Sequence, residues 1–182
     1  HERSKNMNVN AYAELKPGFA KGLKYRANVG YTYLPTIFRR YEGRPAGNLI
    51  GLAQVDNGET KNWIIENILT YEKGWGKHRA DVTALYSAQE TKFFSASTTA
   101  TGFINDILDF NNLAAAATTS ATSLAFNTNL LSQMLRLNYS FDSRYLLTAT
   151  ARRDGYSAFG SNTNKYGLFP SFAVAWNMSN EA

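Results

Sequence analysis

Hydrophobic and polar residues alternate along the stretch from Leu131 to Trp176, and two segments of it alternate almost without error. The odd positions of residues 135–141 are apolar and the even positions are polar. The odd positions of residues 145–151 are again apolar, and the even positions are mostly polar. A period of two places each set on one face of a strand. Asp142, Ser143 and Arg144 suit a turn, so the pattern predicts a tight antiparallel hairpin.

The same period predicts further strands on both sides of this hairpin. The cleanest alternation runs from Leu23 to Tyr33, and Lys16-Pro17-Gly18 before it is a strong turn signal. A short turn at residues 73–77 separates two more strands. Together, the predicted strands lie near residues 8–15, 23–33, 62–72, 78–89, 131–142, 145–153 and 168–177.

Aromatic residues concentrate near the ends of the apolar faces, and aliphatic or small residues lie between them. A soluble sandwich gives no reason for this order, whereas the two interfaces of a bilayer do, because aromatic side chains form girdles there. Near the short turns these residues are Tyr71, Tyr139, Phe141, Tyr145 and Trp176, and at the opposite strand ends they are Tyr33, Trp63 and Tyr86.

The connections between the predicted strands alternate strictly between short and long. Residues 16–22, 73–77 and 142–144 are short connections, whereas 34–60, 91–129 and 153–166 are predicted to be long loops. Within the second long loop, Phe103 to Phe110 fits one or two helical turns, and the Ala/Thr/Ser tract from Ala114 to Ala125 fits a mobile or weakly helical loop. Short turns on one side and long loops on the other are typical of an outer-membrane barrel.

These features predict an all-β fold, an antiparallel up-and-down transmembrane β-barrel. About seven strands are predicted, which is fewer than the eight of the smallest single-chain bacterial barrels. Open sheet edges in a bilayer would leave backbone groups unsatisfied. We therefore expect the 182 residues to form a partial transmembrane β-barrel domain, with strands missing on both sides.

Composition narrows the alternatives. No run approaches the roughly 18 apolar residues of a transmembrane helix. Cysteine is absent, so a disulfide framework and a thiolate metal site are excluded. The first residues lack the pattern of a signal peptide, which predicts that a leader was removed or that the chain is a piece of a longer protein. The net charge of +5 suits either plain solubility or attraction to anionic headgroups, lipopolysaccharide or substrate.

Several stretches together resemble the SusC/RagA family of TonB-dependent outer-membrane transporters. The densest similarity lies in Arg136–Phe141, Arg144–Thr150, Arg152–Gly160 and Gly167–Trp176, and residues 63–71 and 103–108 are similar in the same order. Relatives usually carry Ser and Arg where this chain has Tyr156 and Ala158, so no role is carried over to those two side chains. No plug domain is recognisable within the chain.

The resemblance implies a barrel of roughly 22 strands in the outer membrane of a Gram-negative cell. It also implies an N-terminal plug, energy from the TonB complex and a SusD-like surface lipoprotein as partner. The implied function is import of oligosaccharides, or of peptides. Lipid and lipopolysaccharide would surround such a wall, and no nucleic-acid partner is expected.

No catalytic constellation, cofactor motif or metal-ligand spacing stands out, so an enzyme is not expected. Polar residues on the strands are predicted to face the lumen, either as solvated lining and plug contacts or as substrate contacts: Arg26, Asn28, Glu66, Arg136, Asn138 and Arg152. Aromatic residues in the predicted extracellular loops are candidates for contact with substrate or partner: Phe38, Tyr41, Phe94, Phe103, Phe110 and Tyr156.

Two other classes of protein remain open at this point. A passive porin or surface adhesin barrel would have the same strand pattern, and a plug upstream would distinguish the importer from it. A soluble carbohydrate-binding β-sandwich would need its apolar faces to meet one another.

Overall fold

The computed structural model of the chain describes residues 2–43, 50–159 and 164–180. Within these ranges, eight β-strands belong to one sheet, and the helical elements are single 3₁₀ turns at Asp109–Asn111, Leu113–Ala115 and Met178–Asn180. The strands are β1 Glu2–Ser4, β2 Met7–Leu15, β3 Leu23–Glu42, β4 Leu52–Trp75, β5 His78–Phe103, β6 Ala116–Phe141, β7 Tyr145–Tyr156 and β8 Tyr166–Trp176.

The strands follow one another in the sheet in the order β1-β3-β4-β5-β6-β7-β8, and β2 also pairs with β3. In the antiparallel β6–β7 pair, Phe141 lies opposite Tyr145 and Leu135 opposite Ala151. The hairpin predicted from the alternation is therefore confirmed. Thr150 of β7 in turn lies opposite Ser171 of β8, which keeps polar residues of the two strands on one face. The antiparallel partial-barrel fold is as predicted.

The four central strands are much longer than predicted. β3 begins at Leu23 but continues to Glu42, and β5 continues to Phe103. The predicted loop at 34–60 is thus mostly strand in its described residues, and the parts of the loop predictions that fall on 44–49 and 160–163 lie outside the described residues. The prediction was wrong because these strand ends carry polar residues on both faces, so the hydrophobic period of two disappears while the backbone stays extended.

The Ala/Thr/Ser tract was also predicted wrongly as a mobile or weakly helical loop, since residues 116–125 belong to β6. Threonine is β-branched and favours strands, and that propensity prevails here over the low-complexity composition. The helical turns predicted between Phe103 and Phe110 are reduced to the 3₁₀ turn at Asp109–Asn111 and its neighbour. The count of about seven strands missed the short β1, which pairs with the far end of β3.

The chain divides into two compact units. One comprises residues 1–9, 31–62 and 91–127, and the other comprises 10–30, 63–90 and 128–182. The first unit contains a small apolar core of Ala53, Ala100 and Phe103, which Tyr41 and Phe110 help to cover. In the second unit, large apolar side chains lie exposed along the sheet, including Phe172 at 78% and Val174 at 80% exposure. A sheet face of this kind requires a covering that the described residues do not provide.

None of the helical elements in the described part of the chain is long and apolar enough to cross a membrane.

Candidate functional site

Polar side chains of β3 and β4 form one connected group in the second unit. Arg26 donates from Nε to Oδ1 of Asn28 at 2.8 Å, and Asn28 donates from Nδ2 to Oε2 of Glu66 at 3.0 Å. The Arg26 guanidinium also lies 4.2 Å from the centre of the Tyr12 ring, a cation–π distance. Three of the predicted lumen-facing residues are therefore brought together on one face.

The other three predicted lumen-facing residues lie on β6 and β7. Asn138 donates to Oδ1 of Asp81 at 3.0 Å and accepts from the Thr148 hydroxyl at 2.9 Å. Arg136 donates to the Thr150 hydroxyl at 3.3 Å. These bonds link β5, β6 and β7 across the polar face, where cross-strand polar pairs stabilise a sheet.

Arg152 closes a smaller group at the far end of β7. It donates from Nε to both carboxylate oxygens of Asp154 at 2.9 Å and from Nη2 to the Ser132 hydroxyl at 3.3 Å. Ser132 is only 3% exposed. All six residues predicted to line the lumen thus share the polar face and have hydrogen-bond partners within the sheet, and their role towards a substrate stays a prediction.

The opposite face carries the apolar residues, and a hydrogen-bonded polar pair lies among them. Asn67 is the polar residue in the run Ile65, Asn67, Leu69, and its Oδ1 accepts from the Tyr25 hydroxyl. A polar group among apolar side chains needs such a partner wherever water is excluded, because an unsatisfied one costs free energy. The pair lets an asparagine occupy the apolar face.

Aromatic residues gather around His78 at the short-turn end of the sheet. The His78 ring stacks on Trp75 at 5.7 Å and lies 4.9 Å from Phe141, and its Nδ1 is 2.6 Å from the Tyr139 hydroxyl. Tyr145 stacks on Phe141 at 6.4 Å. Sequence reasoning placed Tyr139, Phe141 and Tyr145 at this end of the strands.

An ion pair joins the β4–β5 turn to the β6–β7 turn. Lys77 donates to Oδ2 of Asp142 at 2.9 Å, Arg144 lies 3.6 Å from the same oxygen, and the Asp142 amide donates to the Lys77 carbonyl at 2.7 Å. The hydrogen bond from Lys77 holds the pKa of Asp142 below its usual value. Asp142 and Ser143 have positive φ of 53° and 54°, as the two central residues of a type I′ hairpin turn require.

The aromatic residues predicted to lie in loops mostly belong to strands or to the small core. Phe38 and Tyr41 are in β3, Phe94 and Phe103 are in β5 and Tyr156 ends β7, so the loop assignment was wrong for these five. Phe103 ends β5 and packs edge-on against Tyr41 at 5.5 Å, and the Tyr41 hydroxyl donates to Asp106 at 2.6 Å. Phe110 lies in a 3₁₀ turn beside this core. Whether any of the six contacts a substrate or partner stays a prediction.

A hollow on the polar face of the first unit is lined by none of the predicted residues. Its lining includes Thr36, Asp56, Gly58, Phe93 and Ser97, and its volume is about 380 Å³. The sequence analysis missed it because it assigned these residues to loops. The sequence carries no periodic signal here, since residues 91–97 mix polar and apolar side chains on both faces.

The comparisons with known proteins agree with the fold and with the residues that resemble the transporter family. No family model matches the chain. It is 36% identical over 179 residues to a TonB-dependent receptor of Formosa agariphila. The aligned residues make up 95% of this chain and 17% of the relative. The chain belongs to the TonB-dependent receptors of the SusC/RagA family. SusC of Bacteroides thetaiotaomicron is 47% identical over 60 residues, 33% of this chain and 6% of SusC.

Solved structures of RagAB superpose on nearly the whole of this chain. The RagAB peptide transporter superposes with a TM-score of 0.89 over 99% of this chain and 20% of that chain, at 23% identity, which supports the fold. The RagAB peptide importer in its open-open state superposes with a TM-score of 0.78 at 25% identity. The chain spans less than a fifth of the Formosa receptor it matches.

Proposed function

We propose that this chain forms part of the membrane-spanning wall of a TonB-dependent outer-membrane importer. The observation that carries the proposal is the separation of the two sheet faces. One face joins arginine, asparagine and carboxylate side chains in hydrogen-bonded groups, and the other presents exposed aliphatic and aromatic side chains. Such a wall suits lipid on one side and a water-filled interior on the other.

The apolar faces of β4 and β5 come close in length to the apolar band of an outer-membrane barrel. Trp63 and Tyr71 on β4, and His78 and Tyr86 on β5, are each eight residues apart. Eight steps correspond to about 26 Å of strand, or about 20 Å along the membrane normal at a tilt of about 40°, against an apolar band about 25 Å tall. Beyond Trp63, the same parity of β4 carries Lys61 and Glu59, which pair at 2.6 Å. The charged pair marks the outer limit of the apolar band.

The proposed cargo is oligosaccharide, with uptake driven by the TonB complex, a plug inside the barrel and a SusD-like surface lipoprotein over it. Membership in the SusC/RagA family supports these assignments. Peptide is the second candidate cargo, because the RagAB protein to which this fold is similar is a peptide importer.

Uptake by cells that express the full-length receptor tests the proposal. Labelled oligosaccharide and peptide pools are supplied to cells with TonB, to cells lacking TonB, and to cells lacking the receptor. We expect receptor-dependent uptake of oligosaccharide that disappears without TonB. Receptor-dependent uptake that continues at the same rate without TonB would contradict the importer and would favour a passive porin.

A further inference from the structure

The geometry points to the hollow on the polar face of the first unit as a subsite for one ring of a neutral saccharide. The hollow spans four neighbouring strands, β3 to β6, and its volume of about 380 Å³ lies in the range of small-molecule sites. The inference rests on the proposed importer function for its setting and adds to it the residues that would recognise the cargo.

The ring of Phe93 provides the apolar side of the site, and Phe126 beside the hollow supports it. Phe93 lines the hollow and stacks on Phe126, with 4.8 Å between ring centres and 24° between ring planes. Phe126 remains 49% exposed. The apolar C–H face of a sugar ring packs on an aromatic face of this kind, because the face is electron-rich and the ring hydroxyls still point outward.

Asp56 provides the polar side of the site. Its Oδ1 accepts from the Ser97 hydroxyl, and its Oδ2 accepts from Nε2 of Gln54 at 2.8 Å. These two bonds fix the carboxylate, and each oxygen keeps acceptor capacity for a ligand hydroxyl. Thr36, Ser97 and Thr122 also line the hollow, and their hydroxyls can donate or accept, as the hydroxyls of a sugar do.

The charge of the lining argues against an anionic ligand. Among the described residues that line the hollow, Asp56 is the charged one, and none is lysine, arginine or histidine. A sulfated or uronate ring would place its charge near a carboxylate without a compensating cation, which disfavours binding. A neutral ring meets no such penalty.

Gly58 keeps the hollow open. A β-carbon at this position would lie 2.6 Å from Oγ1 of Thr36, so any side chain here would push into the space. Gly58→Leu is therefore a variant that should block the hollow without changing the phenylalanine pair or the carboxylate.

Direct binding to the purified full-length receptor tests the inference. The probe is an array of neutral, sulfated and uronate oligosaccharides together with a hexapeptide pool, and affinities for the strongest neutral glycan are then measured by calorimetry. Phe93→Leu and Asp56→Asn should each weaken neutral-glycan binding about tenfold, the effect of losing one good contact to a charged group or an aromatic face. Gly58→Leu should abolish it.

Phe172→Leu is the matched control, since Phe172 of β8 is 78% exposed on the apolar face and does not line the hollow. Retention of the folded barrel by each variant is checked by its heat-modifiable mobility on gels. Glycan binding that is equal in wild type, Phe93→Leu, Asp56→Asn and Gly58→Leu would overturn the inference, as would binding confined to anionic glycans or peptides, or no glycan signal. TonB-dependent uptake would in those cases still support the importer, and its absence would refute the importer whatever the array shows.

Discussion

Lys77 and Asp142 are single residues that connect two turns far apart in the sequence. The ion pair at 2.9 Å and the backbone hydrogen bond from Asp142 to Lys77 join the β4–β5 and β6–β7 turns. The Lys77 side chain is 66% exposed and the Asp142 side chain 24% exposed, and ion pairs near the surface contribute little individually and are screened by salt. The two interactions together fix the position of the β4–β5 hairpin relative to the β6–β7 hairpin.

The depressed pKa of Asp142 gives this ion pair a defined pH dependence. A carboxyl whose pKa is lower in the folded protein stabilises it above the ordinary pKa, and this contribution disappears as the pH falls through the folded-state pKa. Asp142→Asn keeps the positive φ, which asparagine tolerates, and removes the charge. We expect the variant to unfold at a slightly lower temperature than wild type at neutral pH.

Thermal unfolding of the full-length receptor in detergent at several pH values measures this difference. It should vanish well below the ordinary carboxyl pKa of about 3.9. Lys77→Met supplies the control. If the ion pair stabilises the protein, the double variant Lys77→Met, Asp142→Asn should lose no more thermal stability than Asp142→Asn alone. A difference between wild type and Asp142→Asn that persists unchanged at low pH would show that the turn, and not the charge, depends on Asp142.

Tyr25 and Asn67 form the second interaction at this scale. Tyr25→Phe removes the donor to Asn67 and leaves the amide oxygen on the apolar face without this partner. We expect the free energy of unfolding from lipid vesicles to fall by about 0.6 kcal/mol, the average for such bonds in membranes, and by no more than about 1.7 kcal/mol, the largest measured.

The double variant Tyr25→Phe, Asn67→Leu provides the control, because replacing both partners by apolar groups is close to neutral. It should recover most of the lost stability in urea titrations. If Tyr25→Phe alone is neutral, the hydrogen bond does not stabilise the apolar face.

At the scale of elements, β5 is long enough to pass through two environments, the proposed apolar band and the region beyond it. Val82 and Phe94 have the same parity and similar exposures of 36% and 41%. Val82 lies between His78 and Tyr86, within the proposed apolar band, and Phe94 lies beyond Glu90, whose carboxylate accepts from the Trp63 indole at 2.6 Å.

An arginine at each position should distinguish these environments. Val82→Arg should lower the free energy of unfolding by about 2–4 kcal/mol and Phe94→Arg by at most about 1 kcal/mol, because the cost of a charge depends on its depth in the bilayer. Urea titrations of the full-length receptor refolded in lipid vesicles measure both. Equal losses would mean that the apolar band does not end near Glu90.

How far the elements follow from sequence depends on whether one face is apolar. Residues 23–33 and 135–141 alternate clearly because one side of each strand avoids water and the other does not. Residues 91–103 and 116–130 are strands with polar residues on both faces, so periodicity could not find them. The six polar-face residues were predicted from parity alone, whereas the hollow at Asp56 and Phe93 required the long strands to be known.

At the scale of the whole molecule, the apolar and polar faces of the sheet and the family assignment both indicate a segment of a membrane barrel. The chain corresponds to 17% of the Formosa receptor and 20% of the RagAB chain. Nearly all of this chain, 99%, superposes on the RagAB structure. A sheet with exposed apolar side chains such as Phe172 and Val174 is consistent with a wall whose outer surface is covered by lipid.

The central claim is that the apolar face meets lipid while the polar face meets water, and spin-label accessibility across β5 tests it most directly. The chain contains no cysteine, so single cysteines at residues 80–86 can be labelled once any cysteines elsewhere in the receptor are replaced. In lipid vesicles, collision with oxygen should be highest at residues 80, 82, 84 and 86, and collision with a water-soluble nickel complex at 81, 83 and 85. The opposite phase, or no alternation, would contradict the account.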